Sequence, residues 1–247
     1  MWMNRSISVS MPAYNEAEGI EAAVIGFKSL KDVAGNQIVD EIIVVDNNSS
    51  DSTGERARSA GAKVVTENRQ GYGYAVRRGL AEATQDIVVI CEPDGTFAPK
   101  DIFKLLAYSE EFDMVCGTRT TRELFWEEAN MGIFLRMGNL IVAKALELLY
   151  GTCSLSDCGC TFRLIHRPAL KKIEHQFHVG KSHFLPNMII AARMHGLSLI
   201  EIPVTYKDRI GESKITGSLA GKWSTGLAMI RIILISWPGY MKNRVRN

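Results

Sequence analysis

Glu92 and Asp94 leave the apolar run Ile87 to Cys91 two residues apart, with Pro93 between them and Gly95 after them. Positions i and i+2 at the end of a strand project to one side, so both carboxylates can face one hard cation. Mg²⁺ or Mn²⁺ takes oxygen ligands from a few carboxylates and from phosphate, so a cation held here can carry a diphosphate. The plain alternative is a solvated turn bent by Pro93 and Gly95.

Two more apolar runs end the same way, in Pro12-Ala13-Tyr14-Asn15-Glu16 and in Asp46-Asn47-Asn48-Ser49-Ser50-Asp51-Ser52-Thr53. Helix capping accounts for Asp51 or Ser52, since short polar side chains accept from free N–H groups. It does not account for Asp46 at the very end of its run. Three polar strand ends point to one shared polar crevice.

The elements that must position these groups read as strands at Ser6–Ser10, Glu41–Val45, Lys63–Thr66, Ile87–Cys91 and Met114–Gly117. Helices fall between them at Glu16–Leu30, Ser52–Ala60, Gly73–Ala83 and Lys100–Ser109. Such alternation predicts an α/β fold with a largely parallel sheet, whose ligands bind beyond the carboxyl ends of the strands.

The 247 residues are 46% hydrophobic and 23% charged, enough for one substantial core. A formal charge of +2 gives no global field of the kind that recruits nucleic acid. Five cysteines, without paired CxxC spacing and with no recognisable signal peptide, read as reduced cytosolic thiols. Cys153, Cys158 and Cys160 crowd together, but His166 does not complete a familiar zinc spacing.

SVSMPAYNE, VVDNNSSDST, NRQGYGYAVRRGL and EPDGTF stand in the order and spacing of the inverting glycosyltransferases of family 2, and the chain resembles them from about Ser6 to Lys214. The resemblance implies the GT-A fold, with a catalytic domain over residues 1–215 and an amphipathic helical tail over 216–247. It implies a nucleotide diphosphate sugar as donor, held by Pro12, Tyr14, Glu16, Asp46, Asn47, Gly71, Glu92, Asp94 and Arg119. Mg²⁺ or Mn²⁺ would sit on Glu92 and Asp94, where the family carries its DxD motif. Glu92 departs from the usual first aspartate, and Asn47 from the aspartate that contacts the base in relatives. Asparagine both donates and accepts, so it does not choose between uracil and guanine.

SDCGCTFRLIHRPAL resembles the D-x-x-S-G-F-R-x-x-x-R segment of dolichol-phosphate mannose synthases and related polyprenyl-phosphate glycosyltransferases, matching at Asp157, Phe162 and Arg163 but not at Cys160 and Thr161. EIPVTYKDRIGESK resembles their ending and places Arg209, Ser213 and Lys214 beside the site. Arg119 and Arg136 fall where relatives carry arginines for phosphate. The resemblance thus assigns catalysis to Asp94, Arg136, Arg209 and Lys214. It assigns the acceptor to Arg136, Asp157, Arg163, Arg209, Ser213 and Lys214.

A hydroxyl acceptor needs a general base, yet no acid lies between Glu174 and Glu201. A phosphate monoester is already an oxyanion and needs only cations to steer it. The favoured acceptor is therefore polyprenyl phosphate; the alternatives are a soluble or glycan hydroxyl, with His183 or Asp157 as base, and a nucleotide-binding module without turnover. A lipid acceptor implies membrane contact. Gly226–Trp237, flanked by Lys222, Trp223, Lys242, Arg244 and Arg246, reads as an interfacial amphipathic helix, with a stripe of Leu227, Ile230, Ile233, Leu234 and Trp237. The competing reading packs it on the core or on a second copy in a homodimer. The expected location is the cytoplasmic face of a membrane.

Overall fold

The computed structural model describes residues 2–121, 124, 133–210 and 219–246. Its strands are β1 (Ile7–Ala13), β2 (Glu41–Asp46), β3 (Lys63–Thr66), β4 (Ile87–Ile90), β5 (Met114–Thr118), β6 (Arg163–His166) and β7 (Leu199–Pro203). Its α-helices are α1 (Ile20–Lys28), α2 (Thr53–Ser59), α3 (Tyr72–Glu82), α4 (Ile102–Tyr108), α5 (Ile133–Tyr150), α6 (Arg167–Ile173), α7 (Phe184–Met194) and α8 (Leu219–Arg246). β1 and β4 are buried at every position; β4 accordingly reads as a continuous apolar run, while β1 alternates apolar residues with the buried serines Ser8 and Ser10.

The sheet order is β3-β2-β1-β4-β6-β5-β7. All neighbours are parallel except that β6 runs antiparallel to β4 and β5. This is the mostly parallel, helix-flanked α/β sheet that the alternation predicts. One core layer joins the sheet to α1, α2 and α4 through residues such as Val9, Phe27, Ala57 and Leu105. The other joins it to α3 and α5 to α8 through Ile43, Val76, Leu146, Phe184 and Ile233. α3 lies so close on β1 that a Cβ on Gly79 would stand 1.9 Å from Ser10 Oγ. The chain winds outward from β1 to β3 and returns on the other side at β4, so the order reverses between β1 and β4 and a crevice opens beyond their carboxyl ends.

The first-half strands and helices fall where the periodicity places them, with one informative difference. α1 begins at Ile20 rather than Glu16, because residues 16–19 make a turn in which Gly19 N and Ile20 N donate to Glu16 O. That turn leaves the Glu16 side chain at the crevice. In the second half β6 and β7 carry weak signals: β6 has four residues and starts on an arginine, while β7 contains Glu201 and ends on a proline.

α8 corrects the expected single stripe. Ile233 is fully buried and Leu234 is 57% exposed, so apolar residues occupy two faces of this helix. Met229, Ile233 and Tyr240 belong to the core formed with α5 and α7. Tyr150 OH donates to Ile233 O at 2.6 Å, and Tyr240 OH to Tyr150 O at 2.7 Å. Leu227, Leu234, Ile235 and Trp237 lie exposed. The expected boundary between 215 and 216 lies outside the described residues. No helix among the described residues is long and apolar enough to cross a membrane.

Candidate functional site

A cleft of about 450 Å³ occupies the crevice beyond β1 and β4. It brings together Pro12, Tyr14, Glu16, Asn47, Gly71, Glu92, Asp94, Arg119 and Arg209, residues from six separate stretches of sequence. Asp46, Arg136, Asp157 and Arg163 do not line it. Ser213 and Lys214 lie outside the described residues.

The acids gather in one corner. Asp94 is 1% exposed; its Oδ1 accepts from Thr96 N at 3.0 Å and Thr96 Oγ1 at 2.6 Å. Its Oδ2 accepts from Arg209 Nη1 at 2.6 Å, and the other arm of that guanidinium pairs with Glu16 Oε1. Arg209 is carried there by a segment that is tied to the floor of the cleft, with Lys207 N donating to Thr96 O and Ile210 N to Asp94 O, both at 2.8 Å.

Glu92 Oε1 accepts from Thr161 Oγ1 at 2.9 Å, and Tyr72 OH lies 2.8 Å from the same hydroxyl. Burial, and then the nearby charge of Asp94, push the Glu92 carboxyl up to about 7, against the pull of Thr161 and Arg209. Two of the positions at which the sequence departs from the family, Glu92 and Thr161, therefore touch: the longer stem of glutamate reaches a hydroxyl that glycine lacks. Two hard-oxygen groups so close that one raises the other suit a divalent cation, which would relieve both burial and repulsion. Among the described residues no three His, Cys, Asp or Glu side chains converge as a complete metal cage. Glu92 and Asp94 fit a cation that takes its remaining ligands from phosphate and water.

Asn47 is a correction in part. Both N–H donors of its amide go to backbone carbonyls, Glu67 O and Arg69 O, each at 2.8 Å, and its Oδ1 accepts from Gly71 N at 2.8 Å. Its wall of the cleft can thus accept from a base through one remaining lone pair but cannot donate to it. Asp46, expected at the donor, instead has its Oδ1 on Ser49 N at 3.0 Å and borders a separate shallow hollow beside α2. The capping expected of Asp51 or Ser52 is done by Asp51, whose Oδ1 accepts from Thr53 N at 3.0 Å.

Asp157 and Arg163, expected at the acceptor, hold other things. Asp157 takes Arg119 Nε at 2.7 Å and Nη2 at 2.9 Å, aiming Arg119 at the cleft. Burial works to raise the Asp157 carboxyl, but the Arg119 charge and hydrogen bonds prevail and keep it below its ordinary range. A carboxylate so held is a poor general base. Arg163 has no exposure at all; it donates to Cys160 O at 2.8 Å, Leu185 O at 2.9 Å and Cys158 O at 2.6 Å, bracing the 158–160 turn against α7. Arg163→Met would remove the guanidinium donors from three buried carbonyls, leaving those outside α7 short of a partner at about 1–3 kcal/mol each, not additive. The expected loss is about 3 kcal/mol in urea unfolding, and an unchanged midpoint would refute this bracing role. Arg136 Nη2 donates to Thr120 O at 3.1 Å, off the cleft wall.

Sequence reasoning missed Tyr72, Thr161, Tyr206 and Lys207 on the cleft wall. Tyr206 lies under the Arg119 guanidinium at 5.3 Å from its ring centroid, and its advance signal was the aromatic position of PVTYKDR, three residues before Arg209. His183, the other base considered, does not line the cleft.

The sequence pattern of Glycosyl transferase family 2 matches residues 8–174. A dolichyl-phosphate hexose transferase of Haloferax volcanii is 28% identical, over 92% of this chain and 94% of its own length. The low-salt glycan biosynthesis hexosyltransferase Agl6 of the same organism is 30% identical over 96% of this chain, which spans 55% of that protein. Glucosyl-3-phosphoglycerate synthase from Mycobacterium tuberculosis, solved with Mg²⁺ and uridine diphosphate, matches 96% of this chain and 80% of its own with a TM-score of 0.72 at 24% identity, a likeness of fold.

Proposed function

The chain belongs to glycosyl transferase family 2, and from that premise we propose that it moves a hexosyl group, with inversion, from a UDP or GDP sugar to a polyprenyl phosphate. The observation that carries the acceptor class is the division of the cleft wall. Glu16, Glu92 and Asp94 are gathered in one corner with Arg209 bridging two of them, Arg119 and Lys207 bring further cations to the wall, and neither Asp157 nor His183 is placed as a base. A similar chain over nearly its whole length is named a dolichyl-phosphate hexose transferase, which supports the same reading.

Glu92 and Asp94 would hold Mg²⁺ or Mn²⁺, which supplies charge stabilisation for the departing diphosphate. Tyr14, Asn47 and Gly71 form the wall beyond the acid corner that would receive the nucleoside. Arg119, fixed by Asp157, would face phosphate oxygens with its remaining donors. An oxygen of the acceptor phosphate attacks the anomeric carbon as the bond to the diphosphate breaks on the opposite side. No proton has to be removed, so no base is required. Membrane contact belongs to this reading: Leu227, Leu234, Ile235 and Trp237 give α8 an outward apolar face.

The test is transfer by the purified protein with Mn²⁺ from a panel of UDP and GDP sugars to undecaprenyl phosphate, read as lipid-linked sugar monophosphate of inverted anomeric configuration. Mn²⁺-dependent thermal stabilisation by one nucleotide identifies the donor. Transfer to a soluble hydroxyl acceptor such as 3-phosphoglycerate, with none to the lipid, would replace the lipid reading. Donor binding without turnover on any acceptor would leave a nucleotide-binding module.

A further inference from the structure

The cleft does not end at the acid corner. Past Tyr72 and Ala75 it runs between α5 and α8, where Val142, Leu185 and Met229 make an apolar wall set among the uncharged polar side chains of Asn139, Ser182 and Thr225. Gly138 of α5 and Gly226 of α8 line this arm, and a Cβ built on either meets no heavy atom within 4 Å. Glycine inside a helix costs about 1 kcal/mol relative to alanine. At Gly79 a close approach to Ser10 explains the glycine; at Gly138 and Gly226 no described residue stands within 4 Å of such a Cβ, so among the described residues neither packing nor backbone conformation requires a glycine.

Exposed apolar residues stand beside the arm. Met137 and Ile141 on α5, and Trp223 and Leu227 on α8, are exposed within a turn of the two glycines. At the inner end stand Arg119, Lys207 and Arg209. One cavity thus has cations at one end and, at the other, an arm without charged side chains among the described residues, flanked by exposed apolar residues, the polarity of an amphiphile with a phosphate head. A small soluble phosphate uses the inner end alone.

We propose that the arm between α5 and α8 seats the first isoprene units of the acceptor, and that Gly138 and Gly226 give it the width for that chain. The inference rests on the polyprenyl phosphate reading and adds the chain's path through the protein. The occupant is an isoprenoid because the apolar arm belongs to the same cleft as the cations that would meet its phosphate, and because exposed apolar residues flank both glycines of the arm.

The experiment uses the full chain and compares two acceptors, dimethylallyl phosphate and undecaprenyl phosphate, through the ratio of their kcat/KM values. Gly138→Leu and Gly226→Leu fill the arm; Gly138→Ala and Gly226→Ala add one methyl each. The expected result is a long-to-short ratio at least tenfold lower in each leucine variant and a smaller fall in the alanine variants. A ratio equal to wild type in both leucine variants, with both acceptors still turned over, overturns the path while leaving the acceptor reading intact. Failure of the wild-type protein to use either prenyl phosphate overturns both. Should a leucine variant lose its cooperative thermal transition, wild-type protein labelled with a benzophenone-bearing farnesyl phosphate decides the matter. Crosslinks in residues 133–150 and 219–246 support the path, and crosslinks confined to other segments refute it.

Discussion

Asp94→Asn is expected to weaken metal-dependent binding of the nucleotide sugar by about a hundredfold or more, measured calorimetrically with Mn²⁺ present. The size follows from the position: Asp94 is 1% exposed and offers one of the two carboxylates in the corner where a cation would sit. An amide there removes a full charge from a site shielded from water, a change worth about 3 kcal/mol. It also sets an NH₂ group or a neutral oxygen against the Arg209 guanidinium, in place of the charge-assisted bond at 2.6 Å. With the like charge gone, the Glu92 carboxyl should fall from about 7 toward its ordinary value, which a pH titration of metal affinity in the variant can follow. Glu92→Asp keeps a carboxylate and should retain much of the affinity, although the shorter stem draws back from Thr161. Unchanged nucleotide affinity in Asp94→Asn would remove the acid pair from the donor site.

How much of this was legible in the sequence differs between the two ends of each argument. The strand ends carrying Asn47, Glu92 and Asp94 were readable because a buried parallel strand leaves an unbroken apolar run whose polar exit stands out in one dimension, whereas Glu16 follows the serine-interrupted β1 and was found through the SVSMPAYNE motif. Which way a side chain turns at that exit was not readable. Asp46 and Asn47 are adjacent, yet one closes a turn through Ser49 and the other holds the β3–α3 loop through three backbone groups. Family motifs located Asp157 and Arg163 without giving their partners: Arg163 is turned inward by three carbonyls, two of which lie within five residues of it. The pairing of Glu92 with Thr161 spans 69 positions, beyond the reach of any local pattern.

α8 shows a different failure. A hydrophobic period reports that a face is apolar but not what covers it, and this helix is apolar on two sides. The stripe through Ile230, Ile233 and Leu234 looked like one surface because consecutive positions 233 and 234 are about 100° apart and both apolar. Tertiary packing assigns Ile233 to the core and leaves Leu234 outside. Deleting residues 226–247 would therefore also remove Met229, Ile233 and Tyr240 from the core, so loss of lipid binding in such a truncation would not distinguish docking from unfolding. Only substitutions confined to the outer face can do so.

Arg209→Ala is expected to tighten Mn²⁺ binding about tenfold when no nucleotide is present, and to lower turnover on the phosphate acceptor by a hundredfold or more. The sequence pattern assigns Arg209 to the acceptor, which would leave metal affinity untouched. The geometry gives it a second role: its guanidinium bridges Glu16 and Asp94, so a metal approaching Asp94 competes with a partly buried, charge-assisted pair. Such a bond is worth about 1.5–3 kcal/mol, and that is the margin the variant should return to the metal. The same displacement would free Arg209 to turn toward the acceptor phosphate, where losing a steering cation costs rate rather than donor affinity. Arg209→Lys separates the parts, since an ammonium keeps the charge but cannot make the two-armed bridge. It should recover part of the turnover while binding Mn²⁺ more tightly than wild type. Metal affinity unchanged in both variants would confine Arg209 to the acceptor, and weaker metal binding in Arg209→Ala would mean that it supports the acid corner rather than competing for it.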